Sequence, residues 1–246
     1  MNTLIYNGKS FADFETYTDF SQSFSTPEKD VEIISIPGRN GDLSIFNNRF
    51  MDQEISFPCY IRKDFIKNFR QLTEWLNSIN GYQRLESSKE PDYFRDALFL
   101  GAVEPTPGQF TKDGHFSIRF RVHPQRWLKS SLEMINVTNN YAIYNPCNMP
   151  AKPIIRFEGN GSVSLTNADW ELIGQVTIAN NASPSYVDID CETYDAYSLD
   201  GQGNVVNRNA DVTFVIDPKI VPGENHITWY IVNSGSVYLT PRFFNI

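Results

Sequence analysis

The feature that most constrains the fold is a series of short, apolar-rich runs in the second half of the chain. Turn residues such as Asn160-Gly161, Asp200-Gly201 and Pro222-Gly223 separate these runs, and residues of this kind suit the tight turns of β-hairpins. No helical period survives in this region. The pattern predicts a β-sandwich with strands at 154–157, 162–165, 174–178, 186–189, 212–216, 226–231 and 236–239.

The first half of the chain mixes strands with one helix. Alternation of apolar and polar residues predicts strands over 55–61 and 116–122, and a less regular pattern indicates another over 94–100. Between them, Asp64 is the expected N-cap of an amphipathic helix. This half therefore reads as an α+β domain, with a helical apolar stripe at Phe65, Ile66, Phe69, Leu72, Trp75, Leu76 and Ile79.

A proline-rich segment separates two regions of different charge. Residues 145–153 hold three prolines, which favour an extended backbone. Residues 1–130 have a net charge of −1, from 16 basic and 17 acidic residues, whereas residues 131–246 have −7, from 5 and 12. We expect an N-terminal domain over 1–130, a linker over 131–150 and a C-terminal domain over 151–246.

Composition excludes several classes of function. No cluster of basic residues is present for binding nucleic acid. No apolar run reaches the roughly 20 residues that span a bilayer, so membrane insertion is not expected, and the first residues lack the pattern of a secretory signal. Cys59, Cys147 and Cys191 are widely spaced, which predicts buried free thiols of a reducing compartment rather than disulfides or a zinc site.

The sequence offers little for catalysis. It contains no GxSxG, HExxH, GxxxxGK[ST] or GxGxxG motif, so we expect neither an enzyme nor a cofactor. Alternation places Asp188, Asp190 and Glu192 on one strand face, where they could hold Ca²⁺ or form a solvated acidic surface. The solvated surface is the simpler interpretation and no metal site is assigned, although a pair of glycosidase carboxylates stays open.

Aromatic residues of the second half have two interpretations. Trp170, Trp229, Tyr194 and Tyr197 could stack on sugar rings, but such residues more commonly fill the core of a β-domain. Trp170, together with Asp188, Asp190 and Glu192, is retained as a candidate contact on the outer face of the C-terminal domain.

One segment near the N-terminus predicts a projecting hairpin. Residues 32–43 read as a strand that runs into a turn rich in glycine and asparagine. Gly38 and Gly41 permit positive φ and Asn40 tolerates it, so the chain can reverse there. Arg39 and Asp42 would project from the turn.

The run 36–43, Ile-Pro-Gly-Arg-Asn-Gly-Asp-Leu, resembles a motif near the N-terminus of the phage distal tail protein family. Residues 120–124, Phe-Arg-Val-His-Pro, resemble the end of that family's N-terminal strands. Residues 189–197, 221–229 and 239–244 resemble its acidic strand, its Pro-Gly turn before a Trp-bearing strand and its closing Pro-Arg-aromatic strand. The resemblances follow the family's order over nearly the whole chain.

The resemblance implies a structural virion protein at the tail tip, assembled in the host cytoplasm. Such proteins form a hexameric ring through their N-terminal domains, with a galectin-like C-terminal β-sandwich facing outwards. The ring joins the tail-tube protein to the tail-associated lysin or tip protein and often holds receptor-binding proteins. On this basis we place a ring interface at Pro37, Gly38, Arg39, Asn40, Gly41 and Asp42.

Two departures from the family pattern and two rival functions accompany this assignment. The turn at 200–209 is long, and the chain closes on Phe243-Phe244 where the family has tryptophan, so the outer surface is the least constrained part of the prediction. The first rival is an adhesin whose C-terminal sandwich binds a host cell-wall glycan. The second is a tail-tip glycoside hydrolase.

Overall fold

The computed structural model describes residues 2–19, 26–101, 103, 105–106, 112–179, 186–232 and 234–246. These residues form two compact units. The first comprises residues 1–126 with Ile246, and the second comprises residues 127–245. The protein is mainly β. Within the described ranges, no helix has the length and apolar character needed to cross a membrane.

The first unit contains one α-helix, one 3₁₀ helix and ten strands among its described residues. The 3₁₀ helix spans Phe11–Phe14 and α1 spans Phe65–Ser78. The strands are β1 (Leu4–Tyr6), β2 (Lys9–Ser10), β3 (Thr16–Thr18), β4 (Lys29–Ile34), β5 (Leu43–Phe50), β6 (Gln53–Ile61), β7 (Gln83–Ser87), β8 (Glu90–Phe99), β9 (Pro105–Thr106) and β10 (Gly114–Val122).

An antiparallel sheet in the order β2-β1-β7-β8-β10-β6-β3 is the base of this unit. Its longest pairing joins β6 to β10 over nine residues, from Gly114 opposite Ile61 to Val122 opposite Gln53. Every second residue of β10 is buried, as the predicted alternation requires. The strands expected over 55–61, 94–100 and 116–122 are confirmed as β6, β8 and β10.

Helix α1 covers the apolar face of this sheet through most of the predicted stripe; Ile66 was wrongly included in it and is exposed. Leu72 and Leu76 are fully buried, and Trp75 packs against three aromatic rings of the first strands and the 3₁₀ helix, Tyr6, Phe11 and Phe14. Asp64 occupies the N-cap position but makes no capping bond with its side chain, because its backbone is left-handed with φ of +47°. The predicted N-cap position is confirmed, although its side chain does not cap the helix.

We expect Leu72→Ala to lower the free energy of unfolding of the first unit by about 2–5 kcal/mol, because it leaves a cavity under α1. Ile66→Ala, on the exposed side of the same helix, is the matched control and should change that free energy by less than about 0.5 kcal/mol. Scanning calorimetry of both variants measures the difference. Equal effects of the two changes would contradict the packing of α1.

The second unit is built almost entirely of strands. Two 3₁₀ helices span Lys129–Leu132 and Asn209–Asp211. The strands are β11 (Arg126–Leu128), β12 (Ile135–Val137), β13 (Tyr141–Asn145), β14 (Ile154–Glu158), β15 (Asn160–Asn167), β16 (Leu172–Ile178), β17 (Tyr186–Asp190), β18 (Asp195–Leu199), β19 (Val205–Asn207), β20 (Val212–Ile216), β21 (Gly223–Val232), β22 (Val237–Thr240) and β23 (Phe244–Asn245).

These strands form two main antiparallel sheets. The larger has the order β12-β22-β14-β17-β18-β19 and the smaller has the order β13-β21-β15-β16-β20. All seven strands predicted for this half are present. Each sheet buries alternate apolar residues, for example Ile155 and Phe157 in β14 and Val163 and Leu165 in β15, which is the pattern of two sheets packed through their apolar faces.

Residues 131–150, expected as a linker, lie within the second unit. They contain β12, which pairs with β22, and β13, which pairs with β21. The proline-rich segment is also anchored, since the Asn145 side-chain amide donates to the carbonyls of Met149 at 3.0 Å and Ile220 at 3.1 Å. The prolines that suggested a stiff, extended linker instead lie in a loop of the second unit, with Pro146 and Pro150 exposed.

Cys59, Cys147 and Cys191 form no disulfide, and all three are buried. Burial raises the pKa of Cys59 to about 12 and also raises that of Cys191. A thiol with a raised pKa is a poor nucleophile near neutral pH. These side chains therefore act as small apolar core residues, as the sequence predicted.

Candidate assembly surface

Strands β4 and β5 form a two-stranded sheet of their own. We call the segment from Lys29 to Phe50 the arm. Its strands pair from Lys29 opposite Phe50 to Ile34 opposite Leu43, with one bulge near Lys29. The turn predicted between them is confirmed: Gly38 and Gly41 have φ of +81° and +84°.

Both faces of the arm are apolar and exposed. Ile34 and Leu43 lie opposite each other on one face, beside Ile45, whereas Ile33 and Phe46 lie on the other. The exposed fractions of Ile33 and Phe46 are 68% and 57%. Two strands alone are marginally stable in water, and a contiguous exposed apolar surface marks a contact site. The arm is therefore a candidate contact surface.

An ion pair holds the two strands of the arm together near their base. The Nε of Arg49 on β5 donates to Oδ2 of Asp30 on β4 at 2.5 Å. This bond, with one from Asn47, lowers the pKa of Asp30. Because that pKa is depressed in the folded arm, the pair supports strand pairing above the ordinary aspartate pKa, and its contribution is lost as the pH falls through the depressed value.

The pair makes a pH prediction. In a carboxyl-carbon NMR titration, Asp30 should titrate below its ordinary pKa of 3.8, and Arg49→Gln should move its pKa back up because the guanidinium is lost. Arg39→Gln removes an exposed arginine at the tip instead and should leave the Asp30 pKa unchanged. If the pKa of Asp30 is the same in the wild type and in both variants, the ion pair does not form in solution.

The predicted interface residues form the tip of the arm. Pro37, Gly38, Arg39, Asn40, Gly41 and Asp42 are all exposed. The turn is closed by the Arg39 N–H, which donates to the Ile36 carbonyl at 3.2 Å. Sequence reasoning singled out these polar residues and overlooked the apolar faces behind them, although Ile33, Ile34 and Phe46 stand in the sequence beside a recognised turn.

A groove of about 280 Å³ also lies in the first unit. Its walls include the apolar side chains of Ile55, Phe57 and Phe94, and Arg95 and Arg126 add positive charge. Burial and the nearby Arg126 lower the pKa of Arg95 to about 10. The groove is a second partly apolar surface of this unit, and its lining includes Thr26 and Pro27, which lie just before the arm in sequence.

The acidic run of the second unit forms structural ion pairs. Asp188 is buried, and both of its oxygens accept from Arg156, at 2.6 and 2.8 Å. This carboxylate raises the pKa of Arg156. Asp190 accepts from Nη1 of Arg242 at 2.9 Å. A carboxylate already bound to a guanidinium is poorly placed to ligate Ca²⁺ or to act as a general acid.

Glu192 does not share the strand face that alternation predicted. Strand β17 ends at Asp190, and Glu192 lies exposed in the following turn, where its backbone N–H donates to the Asp190 carboxylate at 2.8 Å. Among the described residues, no group of three or more His, Cys, Asp or Glu side chains could hold a metal ion. The expectation of a solvated acidic face was also wrong for Asp188, which is covered.

We expect Asp188→Ala to lower the free energy of unfolding of the second unit by about 2–3 kcal/mol, because it leaves the charge of Arg156 without its partner. Partial exposure of Arg156 keeps this below the cost for a fully buried pair. Glu192→Ala removes an exposed carboxylate and should change the free energy by less than about 0.5 kcal/mol. Urea denaturation of the two variants gives the comparison, and equal midpoints would refute the assignment.

Trp170 lies apart from the acidic run. It follows β15 of the five-stranded sheet, whereas Asp188 and Asp190 belong to β17 of the six-stranded sheet. Trp170 is exposed. Trp229, in contrast, is half-buried, and its Nε1 donates to the Val137 carbonyl at 3.0 Å. The candidate outer-face residues therefore do not converge on one site.

Comparison with solved structures extends over both units. SPP1 Dit (gp 19.1), a hub protein of the adsorption apparatus of phages that infect Gram-positive bacteria, matches over 99% of each chain with 12% sequence identity and a TM-score of 0.70. A chain of the phage P2 baseplate, in its activated conformation with Ca or with Sr, matches over 97% of each chain with 10% identity and a TM-score of 0.51.

Sequence comparison gives no corresponding match: neither a protein-family model nor a curated protein matches the chain. At 10–12% identity the structural likeness establishes the fold. The chain has the fold of phage Dit hub and baseplate proteins from end to end.

Proposed function

We propose that this chain is the distal tail hub of a phage, a structural protein of the virion rather than an enzyme. The likeness to SPP1 Dit over 99% of both chains supports this most strongly, since it includes both units in one order. Fold alone does not define function. The arm supplies the independent observation, because an exposed apolar hairpin is a feature of a protein that assembles.

The proposed assembly is a hexameric ring formed through the first unit. A closed ring uses heterologous contacts, in which one patch of each copy meets a different patch of the next. The first unit offers two such patches, the apolar faces of the arm and the apolar groove beside Phe57 and Phe94. We propose that the arm of one copy packs against the groove region of its neighbour, with the tip residues 37–42 at the edge of the contact.

The ring would join the tail-tube protein to the tail-associated lysin or tip protein, and it would also carry receptor-binding proteins. The second unit, proposed as a galectin-like sandwich, would supply the outer surface. Its segment from residue 131 onward has a net charge of −7, which favours partners with basic surfaces at moderate ionic strength. Such a protein would be assembled in the host cytoplasm and retained at the tail tip.

The hydrolase alternative loses its most suggestive carboxylates. A glycosidase needs one carboxyl group that keeps its proton near neutral pH, yet Asp188 and Asp190 each accept hydrogen bonds from an arginine. Both carboxylates are therefore already engaged by hydrogen bonds within the sheet. The acidic run therefore serves the fold.

The ring is tested by the mass of the purified full-length chain. Light scattering should give a hexamer of six times 28.2 kDa, about 169 kDa. Ile33→Ser combined with Phe46→Ser should shift the protein to monomers, because it removes the apolar contact while leaving strand pairing in place. Negative-stain images should show six-fold rings for the wild type and none for this double variant.

A single matched change elsewhere in the same unit serves as the control. Ile66→Ser lies on the exposed side of α1 and should leave the hexamer intact. Arg39→Ala with Asp42→Ala tests the tip and should weaken the ring less than the apolar double change. A wild-type monomer at every concentration, or a hexamer that survives loss of Ile33 and Phe46, would overturn the proposal.

A further inference from the structure

The turn between β15 and β16 holds a rigid, exposed tryptophan. Asn167 organises this turn: its Oδ1 accepts from the N–H groups of Asp169 at 3.0 Å and Glu171 at 2.9 Å. The Trp170 N–H also donates to the Asn167 carbonyl at 3.0 Å. These bonds fix the backbone that carries the indole, whose residue is 57% exposed.

The backbone at Trp170 is one that glycine would adopt more easily. Its φ of +62° lies in the left-handed region, where a residue with a Cβ, and a bulky one above all, is strained. A turn with no task beyond reversing the chain is best served by glycine at such a position. Here the turn carries the largest side chain instead, and strain of this kind concentrates at functional positions.

The indole lies flat against a histidine of the neighbouring strand. The rings of Trp170 and His226 are parallel within 6°, with their centroids 4.2 Å apart. Trp170 thereby covers His226, whose side chain is only 13% exposed. One face of the indole is used in this stack, so its other face is turned away from His226 and held there as a flat apolar platform.

Carboxylates lie in the same turn as Trp170 and beside the histidine on which it stacks. An oxygen of Glu224 lies 3.7 Å from Nε2 of His226, and the Glu171 carboxylate accepts from Nδ2 of Asn167 at 2.9 Å. Exposed Asp169 precedes Trp170 in the same turn. Carboxylates accept hydrogen bonds from hydroxyl groups, and their charge repels phosphates and other anions.

We propose that the exposed face of Trp170, in a turn where Asp169 and Glu171 flank it in sequence, binds a neutral pyranose ring of a surface polysaccharide. A pyranose has an apolar face of C–H groups that can lie on an indole, and hydroxyl groups at its edge that can donate to carboxylates of the turn. The negative charge of this turn disfavours polyanions such as teichoic acid. This site belongs to the second unit and does not depend on the ring formed through the first.

The test uses the full-length protein and three variants. Trp170→Gly removes the platform at a backbone position that suits glycine, so the turn should remain folded. Trp170→Phe keeps a smaller ring. Tyr230→Ala is the control, because Tyr230 lies further along β21 and is 66% exposed. The probes are an array of neutral oligosaccharides built from hexoses and N-acetylhexosamines, and purified teichoic acid.

We expect wild-type protein to bind at least one neutral oligosaccharide, and Trp170→Gly to weaken that binding at least about tenfold. Trp170→Phe should retain part of it and Tyr230→Ala all of it. Binding that survives in Trp170→Gly, binding of teichoic acid alone, or no binding to any oligosaccharide would overturn the proposal. Light scattering of the same samples reports the ring separately, so failure of this site is distinguishable from failure of assembly.

Discussion

A two-stranded hairpin has no interior, and this constraint explains why the arm exposes apolar side chains on both of its faces. The arm places Ile34 and Leu43 on one face and Ile33 and Phe46 on the other, so neither face can be covered by the hairpin itself. A base held by the Asp30–Arg49 ion pair leads into strand β6 of the main sheet. In the proposed assembly, these exposed faces are buried by another copy of the chain.

Both units are built of antiparallel strands, but they differ in what surrounds their sheets. In the first, a sheet and α1 enclose an aromatic core around Trp75, which gives the arm a firm attachment. In the second, Asp188 and Asp190 of the six-stranded sheet form ion pairs with arginines, so these carboxylates are not available to bind a metal or to act in catalysis. The turn between β15 and β16 of the five-stranded sheet carries the exposed Trp170.

Local patterns predicted local structure well. Alternation located β6 and β10, the apolar stripe located α1, and glycine with asparagine located the tip of the arm. The ion pairs of the acidic run could not be predicted because they depend on contacts distant in sequence: Arg156 and Arg242 lie 32 and 52 residues from the carboxylates they bind. The linker was misplaced for the same reason, because Asn145 anchors it to Ile220. The apolar faces of the arm were overlooked since Ile33 and Ile34 are adjacent, which breaks a simple alternation.

Hydrogen exchange of the full-length chain tests the central claim, that another copy covers the arm. At low concentration the amides of residues 31–46 should exchange quickly, because an isolated hairpin opens readily. In the assembled protein the same amides should exchange at least about tenfold more slowly, together with those of β7 and β8 beside the groove. Exchange of the arm that is equally fast in assembled and dilute protein would contradict the account.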